Sequence, residues 1–138
     1  MTQSFVLNPV GTVRNPGGQA WIEVFDEYGD ALLGLDGFSH IHVFYWFDQN
    51  DSPEKRRTLQ VHPRKDPANP LTGVFATHSP RRPNLIAMTL CRIRAIRDNR
   101  IEIDEIDAYD GSPVLDIKCY IPESIAKTDV QLPGWVRK

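Results

Sequence analysis

Residues 39–47 read Ser-His-Ile-His-Val-Phe-Tyr-Trp-Phe and give the strongest strand signal in the chain. Successive side chains of a strand point to opposite faces, so this run is apolar or aromatic on both faces. A strand of that kind is covered on both sides, and we predict that Ser39–Phe47 lies centrally in its sheet. The polar run 48–53, which closes on Pro53, ends it.

Shorter strand patterns recur on both sides of this segment, separated by turns rich in Gly, Pro, Asn and Asp. Residues 31–38 lack such a pattern and are expected to form irregular turns that bury Leu32, Leu33 and Leu35. With almost no helical periodicity, the chain is predicted to be all-β, a small sandwich or barrel. The further predicted strands are Ser4–Val13, Ala20–Phe25, Thr58–His62, Leu85–Arg97, Arg100–Ile106 and Val114–Ile121.

The composition is that of a soluble globular protein, with 41% hydrophobic and 25% charged residues in a chain of 138. We expect one domain over 1–138, with 122–138 as a C-terminal tail. The net charge of −2 gives no global nucleic-acid signal, so such contacts would need a local basic track. Arginine and lysine do cluster, at 55–57, 64–65, 81–82 and 92–97.

Neither a secretory signal nor a membrane span is expected. Residues 1–10 lack a basic start followed by a long apolar run, and no apolar segment approaches about 20 residues. Cys91 and Cys119 show no metal-ligand spacing, so both are expected to be reduced thiols in a cytoplasmic protein.

The stretch 77–84 reads Thr-His-Ser-Pro-Arg-Arg-Pro-Asn and is stiffened by its two prolines. A rigid loop that carries arginine and asparagine suits the positioning of polar groups around a ligand. It equally suits a surface connection with solvated arginines, and the residues alone leave both interpretations open.

Residues 104–110 hold four carboxylates in seven positions at a predicted strand end. This pattern fits a solvated strand end, a divalent-metal cluster or a site for a cationic ligand. His40 and His42 share one strand face, a spacing that metal sites sometimes use, and His62 or His78 would have to supply the third ligand. A core or hydrogen-bonded His40 is the favoured interpretation, so no metal site is predicted. Ser79 lacks the surroundings of a hydrolase nucleophile, and no glycine-rich phosphate loop is present.

Four blocks, in order, resemble the TsaA-like (TrmO, formerly YaeB) family of S-adenosylmethionine-dependent tRNA methyltransferases. They read PVGTVRNP, GLDGFSHIHVFYWFDQ, GVFATHSPRRPNLIAMT and IDAYDGSPVLDIKCYIP, and together they span Pro9–Pro122. Two departures stand out, since His78 replaces the family arginine and Leu85-Ile86-Ala87 replaces Pro-Ile-Gly.

The resemblance implies a small mixed β-barrel that forms a homodimer, with S-adenosyl-L-methionine bound near the subunit interface. It implies Arg82 and Asn84 at the reacting end of the site. The implied donor-binding residues are Pro16, Gly17, Gly18, Asp48, Gln49, His78, Met88, Asp104, Glu105, Ile106 and Asp107.

The implied reaction is N6-methylation of N6-threonylcarbamoyladenosine next to the tRNA anticodon. Because the donor brings its own leaving group, the protein has mainly to align the reacting atoms and exclude water. Two alternatives remain: a module that binds S-adenosylmethionine or RNA without catalysis, and a methyltransferase for another RNA or small acceptor. The second arises because longer family members carry a C-terminal domain that does not appear in this sequence.

Overall fold

Strand β3, His40–Trp46, pairs with a strand on each side, as its apolar pattern predicts. The computed structural model describes residues 2–122 and 127–137. Its strands are β1 (Gly11–Arg14), β2 (Ala20–Val24), β3 (His40–Trp46), β4 (Gln60–Val61), β5 (Thr72–Gly73), β6 (Ile86–Arg97), β7 (Arg100–Ile103) and β8 (Pro113–Cys119).

Six of these strands close into a barrel in the order β1-β2-β7-β6-β3-β8. Each neighbouring pair is antiparallel, so the all-β barrel is confirmed but is antiparallel rather than mixed. Closure removes the free strand edges that would otherwise invite aggregation. The register shifts once between β6 and β7, near Arg94, and once between β3 and β8, near Leu115. Such bulges increase the local twist that a small barrel requires.

The interior is filled by alternate side chains of the six strands. On β3, Ile41, Val43 and Tyr45 point inward, and the residues between them face outward and are half-buried. Gly11 on β1 lies so close to β2 that a Cβ atom there would collide with the backbone oxygen of Glu23. The fully buried side chains of this interior are Val13, Ile22, Ile41, Val43, Cys91, Ile101 and Val114.

Between β3 and β6 the chain leaves the barrel and forms a small lobe, residues 53–84, which we call the crossover lobe. It begins with one helical turn, α1 (Pro53–Arg56), whose start is capped by Ser52 Oγ accepting from the Lys55 amide at 3.2 Å. Strands β4 and β5 then pair as a two-stranded hairpin. The turn Val74–Ala76 and the proline-rich loop lead back to β6.

Two sequence predictions are wrong in detail. The strand predicted over Ser4–Val13 is regular only from Gly11, where its pairing with β2 and β8 begins. Val10 still bonds to Val114 and Phe25, but residues 4–9 pair with no strand in the part of the chain that the structure describes. Leu33 was expected to be buried but is 95% exposed, since it is the residue that caps the end of the short 3-10 helix Asp26–Leu32 and faces away from the core. Leu32 and Leu35 do pack against the core.

The other predicted strands are confirmed within a few residues, including the hairpin that turns at Asp98-Asn99 between β6 and β7. The tail predicted over 122–138 returns to the crossover lobe, where Arg64 donates to the backbone oxygen of Val136 at 3.0 Å. Residues 123–126 and 138 lie outside the described part of that tail. Among the residues described, no helix is long and apolar enough to cross a membrane.

Candidate active site

A cavity of about 720 Å³ opens over the barrel rim where β3 ends and β6 begins. Its walls come from the end of β3, the loop of the crossover lobe, the start of β6 and the segment after β7. The volume lies within the range of sites for small organic ligands. The lining residues are Asn15, Tyr45–Asn50, Phe75, Thr77, His78, Pro80, Arg82, Ile86–Thr89, Ile106–Tyr109 and Ser112.

The segment 106–109 is fixed against the barrel through its backbone oxygens. Tyr45 donates its phenol O–H to the Asp107 oxygen at 2.8 Å and also contacts Thr89 Oγ1 at 3.1 Å. Asn15 donates its side-chain amide to the oxygens of Ile106 and Ala108 at 3.2 and 2.8 Å. Because these bonds use the backbone of Asp107, its exposed carboxylate stays available to a ligand.

The same segment is tied to β1 at its far end. Asp110 Oδ1 accepts from the Asn15 amide at 2.9 Å and from Arg14 Nε at 3.0 Å. Ser112, which is buried, donates its hydroxyl to the Tyr109 oxygen at 2.7 Å. The acidic stretch is thus held at both ends, and the backbone of Asp107 is fixed between them.

The proline-rich loop is held together by its own side chains. Arg82 Nη1 donates to the oxygens of Thr77 and Ser79 at 3.1 and 3.0 Å. Thr77 Oγ1 accepts from the Ser79 amide at 3.1 Å and donates to the Val74 oxygen at 2.9 Å. Arg82 therefore closes the turn that carries His78, while its Nε and Nη2 have no assigned partner within the described residues.

A second arginine joins this loop to α1 and to the rim of the barrel. Arg56 Nε donates to the Pro83 oxygen at 2.9 Å, and its guanidinium lies 5.5 Å from the ring centre of Trp46. Asp51 accepts from Arg56 and from the Trp46 indole at 3.4 and 3.2 Å. This network sets the distance between the crossover lobe and the end of β3, and with it the width of the cavity.

Burial decides which side chains could take part in proton transfer. Burial, and to a smaller degree the charge of Asp107, raises the pKa of Tyr45 above its ordinary value, although its bond to Thr89 works the other way. The phenol therefore stays protonated and acts as a donor. Burial raises the pKa of the Cys91 thiol to about 12, helped by Asp104 and Glu105, so Cys91 is an inert core residue.

Seven of the residues implied by the resemblance line this cavity: Asp48, Gln49, His78, Arg82, Met88, Ile106 and Asp107. The lining does not include Asn84, which is the last residue of the loop and is exposed. It also does not include Pro16-Gly17-Gly18, which follow the lining residue Asn15. The lining also lacks Asp104 and Glu105. The structure thus brings together seven residues that are far apart in sequence, and the remaining six lie outside the cavity lining.

Asp104 has a structural task at the edge of the barrel. Its Oδ1 accepts from the amides of Glu105 and Arg92 at 2.7 and 3.0 Å. Burial acts to raise its pKa, but these backbone N–H groups and the nearby charge of Arg94 outweigh it, so the pKa lies below its ordinary value. The charge of Asp104 is thereby committed to the end of β7.

The two histidines of β3 face outward and make edge-to-face contacts with Tyr120. His40 lies 6.2 Å and His42 5.4 Å from that ring, and His40 Nδ1 is 2.7 Å from Ser39 Oγ. Within the described residues no three His, Cys, Asp or Glu side chains form a group that could hold a metal ion.

Several lining residues were not anticipated from the sequence, namely Asn15, Tyr45, Phe75, Thr89 and Ser112. Tyr45 and Thr89 lie within predicted strands, where alternation reports burial but not proximity to a rim. Asn15 lies one residue before Pro16–Gly18, which the resemblance implies at the donor site. Its position in a polar turn was the sequence signal that could have indicated it.

Residues 7–125 match the family described as the tRNA-methyltransferase O N-terminal domain. A probable S-adenosyl-L-methionine-binding protein of Methanocaldococcus jannaschii is 47% identical over 116 residues, which cover 84% of this chain and 92% of that relative. The tRNA (adenine(37)-N6)-methyltransferase of Homo sapiens is 37% identical over 110 residues, which cover 80% of this chain and 24% of that enzyme.

Among solved structures, TrmO from Pseudomonas aeruginosa superposes with a TM-score of 0.71 at 26% identity. The match covers 94% of this chain and 61% of that one. The chain therefore spans about three fifths of the solved relative and a quarter of the human enzyme, but nearly all of the archaeal protein.

Proposed function

Because the chain belongs to the tRNA-methyltransferase O family, we propose that it binds S-adenosyl-L-methionine and methylates an adenosine of tRNA at N6. We propose N6-threonylcarbamoyladenosine beside the anticodon as the acceptor, and the cytoplasm as the place of action. The observation that carries the proposal is the rim cavity, which collects Asp48, Gln49, His78, Arg82 and Asp107 from three separate parts of the sequence.

The chemistry of the lining fits the methyl donor. S-adenosylmethionine presents an ammonium, a sulfonium, a ribose diol and a flat aromatic base. The carboxylates of Asp48 and Asp107 would hold its cationic and hydroxyl groups, and Gln49 and His78 offer further hydrogen bonds. Ile106 and Met88 supply apolar contact for the base. Asp104, Glu105 and Pro16–Gly18 would then support this donor site from behind the lining rather than touch the donor.

Arg82 and Asn84 are proposed for the acceptor end. Two of the Arg82 nitrogens are unassigned, and a planar guanidinium can grip a phosphate or the carboxylate of a threonylcarbamoyl group in bidentate fashion. Asn84 is exposed at the end of the same loop. Both would orient the adenosine rather than exchange protons with it.

The donor supplies an activated methyl group when bound, so these residues need only align the acceptor nitrogen and exclude water. Tyr45 does not serve as a base, because its raised pKa keeps the phenol protonated and its O–H is used on the Asp107 oxygen. Its task is to hold the segment that carries the Asp107 carboxylate.

We also propose that the protein is one unit, a barrel with a tail over 122–138, and that it acts as a homodimer. The outward face of β6 exposes Ile86, Met88 and Leu90 by 43%, 54% and 47%, beside Phe44 and Trp46 of β3. An apolar sheet face of this kind favours contact with a second copy. Light scattering should give about twice the 15.7 kDa of one chain, and Leu90→Glu should give the single-chain mass.

The function is tested with donor and acceptor separately. Calorimetry should detect S-adenosylmethionine at micromolar affinity, about −8 kcal/mol. Labelled methyl transfer should be seen to total tRNA from a strain lacking the protein, with the label recovered at N6 of the threonylcarbamoylated nucleoside. No heat with millimolar donor would refute donor binding, and label in another nucleoside would refute the acceptor.

A donor-binding protein without transfer activity is the second candidate. The Methanocaldococcus jannaschii relative, which this chain covers almost completely, is named for binding alone, whereas the human methyltransferase is about four times longer than the matched part. The replacement of the family arginine by His78 also favours a protein that binds the donor without methyl transfer. Tight donor binding with no transfer to any RNA or small acceptor would favour this candidate.

A further inference from the structure

The charge of this protein is divided unevenly between the barrel and the crossover lobe. Residues 53–84 carry seven Lys or Arg against two Asp or Glu, a formal charge of +5. The whole chain carries −2, so the remaining residues carry −7, with nine basic residues against sixteen acidic ones. A lobe of that sign attracts a polyanion to the side of the molecule that borders the cavity.

Several of these cations are not used inside the protein. The side chains of Lys55, Arg56, Arg64 and Arg82 have internal partners. The side chains of Arg57, Lys65 and Arg81 are exposed, and within the described residues no ion pair or hydrogen bond is assigned to them. Arg57 follows Arg56 and Arg81 lies two residues before Pro83, and Arg56 is bonded to Pro83. Arg57 and Arg81 therefore lie on adjoining parts of the lobe.

The backbone also projects one aromatic ring from the lobe. Phe75 is 86% exposed although it lies between Val74, which is buried, and the tightly held Thr77. The Thr77 amide and hydroxyl both donate to the Val74 oxygen, at 3.1 and 2.9 Å, so the turn fixes the direction in which Phe75 points. Phe75 belongs to the cavity lining, and its ring therefore lies at the mouth of the proposed donor site.

Resting on the proposed function, we propose that the crossover lobe is the RNA-binding surface, with Arg57 and Arg81 on backbone phosphates and Phe75 stacked on the target adenine. A cationic surface beside an exposed aromatic ring is how proteins hold unpaired nucleotides of RNA loops. Arg64 and Lys65 have positive φ angles of 60° and 56°, which holds the Lys65 side chain at a second sharp turn of the lobe.

The test uses the full chain and an anticodon stem-loop RNA of about 17 nucleotides with adenosine after the anticodon. Arg57→Ala and Arg81→Ala should each weaken RNA binding about three- to tenfold at 0.1 M salt, and each should lower the salt dependence by about one phosphate contact. Arg97→Ala is the control for the loss of one positive charge. Arg97 pairs with Glu102 at 3.3 Å and is exposed at the other end of β6, roughly 35 Å along the strand.

For the ring, Phe75→Ala should weaken RNA binding at least about fivefold, and Phe75→Tyr should restore it. With the target adenosine replaced by an abasic nucleotide, the parent and Phe75→Ala should bind equally. Leu71→Ala is the control for non-specific apolar contact with RNA, since Leu71 is exposed on the same lobe but is not part of the cavity lining. Donor affinity and melting temperature should be unchanged in Arg57→Ala, Arg81→Ala and the two control variants.

Different failures have different meanings. If the parent methylates tRNA but Arg57→Ala and Arg81→Ala behave like Arg97→Ala, the lobe is not the RNA surface and the proposed function stands. If Phe75→Ala weakens donor binding, the ring contacts the donor, and if it lowers the mass in light scattering, the ring contacts a second copy. Either result overturns the stacking proposal. If the parent neither binds nor methylates RNA, both proposals fail.

Discussion

The barrel and the crossover lobe are stabilised by different interactions. In the barrel, strand ladders and a core of fully buried aliphatic side chains fix the backbone. In the lobe few residues are buried, chiefly Pro63, Asn69, Val74 and Thr77, and the shape depends on single side chain-to-backbone bonds. One such bond is donated by Asn69 Nδ2 to the Pro63 oxygen at 2.9 Å.

Because of this difference, the free energy of unfolding and the binding of ligands depend on different parts of the molecule. A core side chain contributes to the free energy of unfolding of the whole barrel, because its removal leaves a cavity among close-packed neighbours. A lobe side chain contributes to the position of a loop, so its loss moves ligand-binding groups without unfolding the barrel. We therefore expect variants in the barrel core to lower the melting temperature. Variants at the cavity should instead lower ligand affinity or the rate of methyl transfer.

The largest effect is expected for Ile41→Ala in the middle of β3. Ile41 is fully buried, and truncation of such a side chain costs about 2–5 kcal/mol. Denaturant unfolding measures the loss, and Leu33→Ala, which removes a 95% exposed side chain, is the control with no more than about 0.5 kcal/mol expected. Equal losses in the two variants would contradict the assigned core.

Asp107→Asn should come next and should act on the ligand rather than on the fold. The carboxylate of Asp107 is exposed at the cavity while its backbone oxygen is held by Tyr45. Loss of one charge-assisted hydrogen bond to a cationic donor costs roughly 1.5–3 kcal/mol of binding free energy. Calorimetry should show donor affinity falling about ten- to a hundredfold with the melting temperature unchanged.

Glu105→Gln is the matched control for this change. It removes one negative charge from the same acidic stretch, two residues away, but Glu105 does not line the cavity. Donor affinity should stay within about twofold of the parent, since a solvent-screened charge at that distance contributes little. If both variants lose affinity alike, the acidic stretch acts through its overall charge and Asp107 has no special position.

Arg82→Lys should have a smaller effect, at least about tenfold on methyl transfer, or roughly 1.4 kcal/mol. An ammonium can replace one bond to the loop oxygens but cannot offer the remaining edge of a planar guanidinium. Melting and donor affinity should change little. The measurement is kcat/KM for tRNA, with Arg81→Lys as the neighbouring control, because an exposed arginine on phosphate tolerates lysine.

The competing role for Arg82 is that of an internal strut paired with an acid such as Asp110 or Asp116. Those carboxylates pair with Arg14 and Lys118, at 3.0 and 3.6 Å, so neither is the partner of Arg82. Its bonds to Thr77 and Ser79 do make it a strut of its own loop. A joint fall in stability, donor affinity and turnover in Arg82→Lys would mean that this strut is its whole role.

The barrel could be predicted because strand periodicity and turn residues are local signals. Ser39–Phe47, Leu85–Arg97 and the Asp98-Asn99 turn were all readable from adjacent residues. Strand order was not readable, since β2 pairs with β7 and β3 pairs with β8 across distant parts of the chain. The first strand was predicted to be too long because alternation continues through residues 4–9, with which no strand pairs among the described residues.

The site was predictable only where a motif marked it. Asp48, Gln49, His78 and Asp107 came from the family resemblance and do line one cavity. Asp104 shows why neighbours in sequence need not share a role: one residue past the end of β7, its carboxylate turns back to the strand amides while Asp107 faces the cavity. Asn15 and Tyr45 belong to the site through side-chain bonds to backbone oxygens, which no sequence pattern reports.

The smallest effect is expected for Asp104→Asn, and its signature is pH dependence. The amides of Glu105 and Arg92 hold the pKa of Asp104 below its ordinary value in the folded state, so the ionised carboxylate favours folding. That contribution is present above about pH 4, where the carboxylate is ionised also in the unfolded chain, and is lost as pH falls through the folded pKa.

Asp104→Asn keeps an acceptor oxygen but removes the charge, so the variant should be less stable than the parent near pH 6 and equal to it near pH 2–3. The difference near pH 6 should be well under about 1 kcal/mol, because Asp104 is largely exposed and its charge is screened by solvent. Asp104→Ala is the informative partner variant, since it also removes the acceptor from two amides and should stay less stable at every pH. If Asp104→Asn and the parent lose stability in parallel down to pH 2, the carboxylate is not coupled to folding. The barrel would then not depend on the charge of Asp104, and Asp104 could return to the list of donor-binding residues.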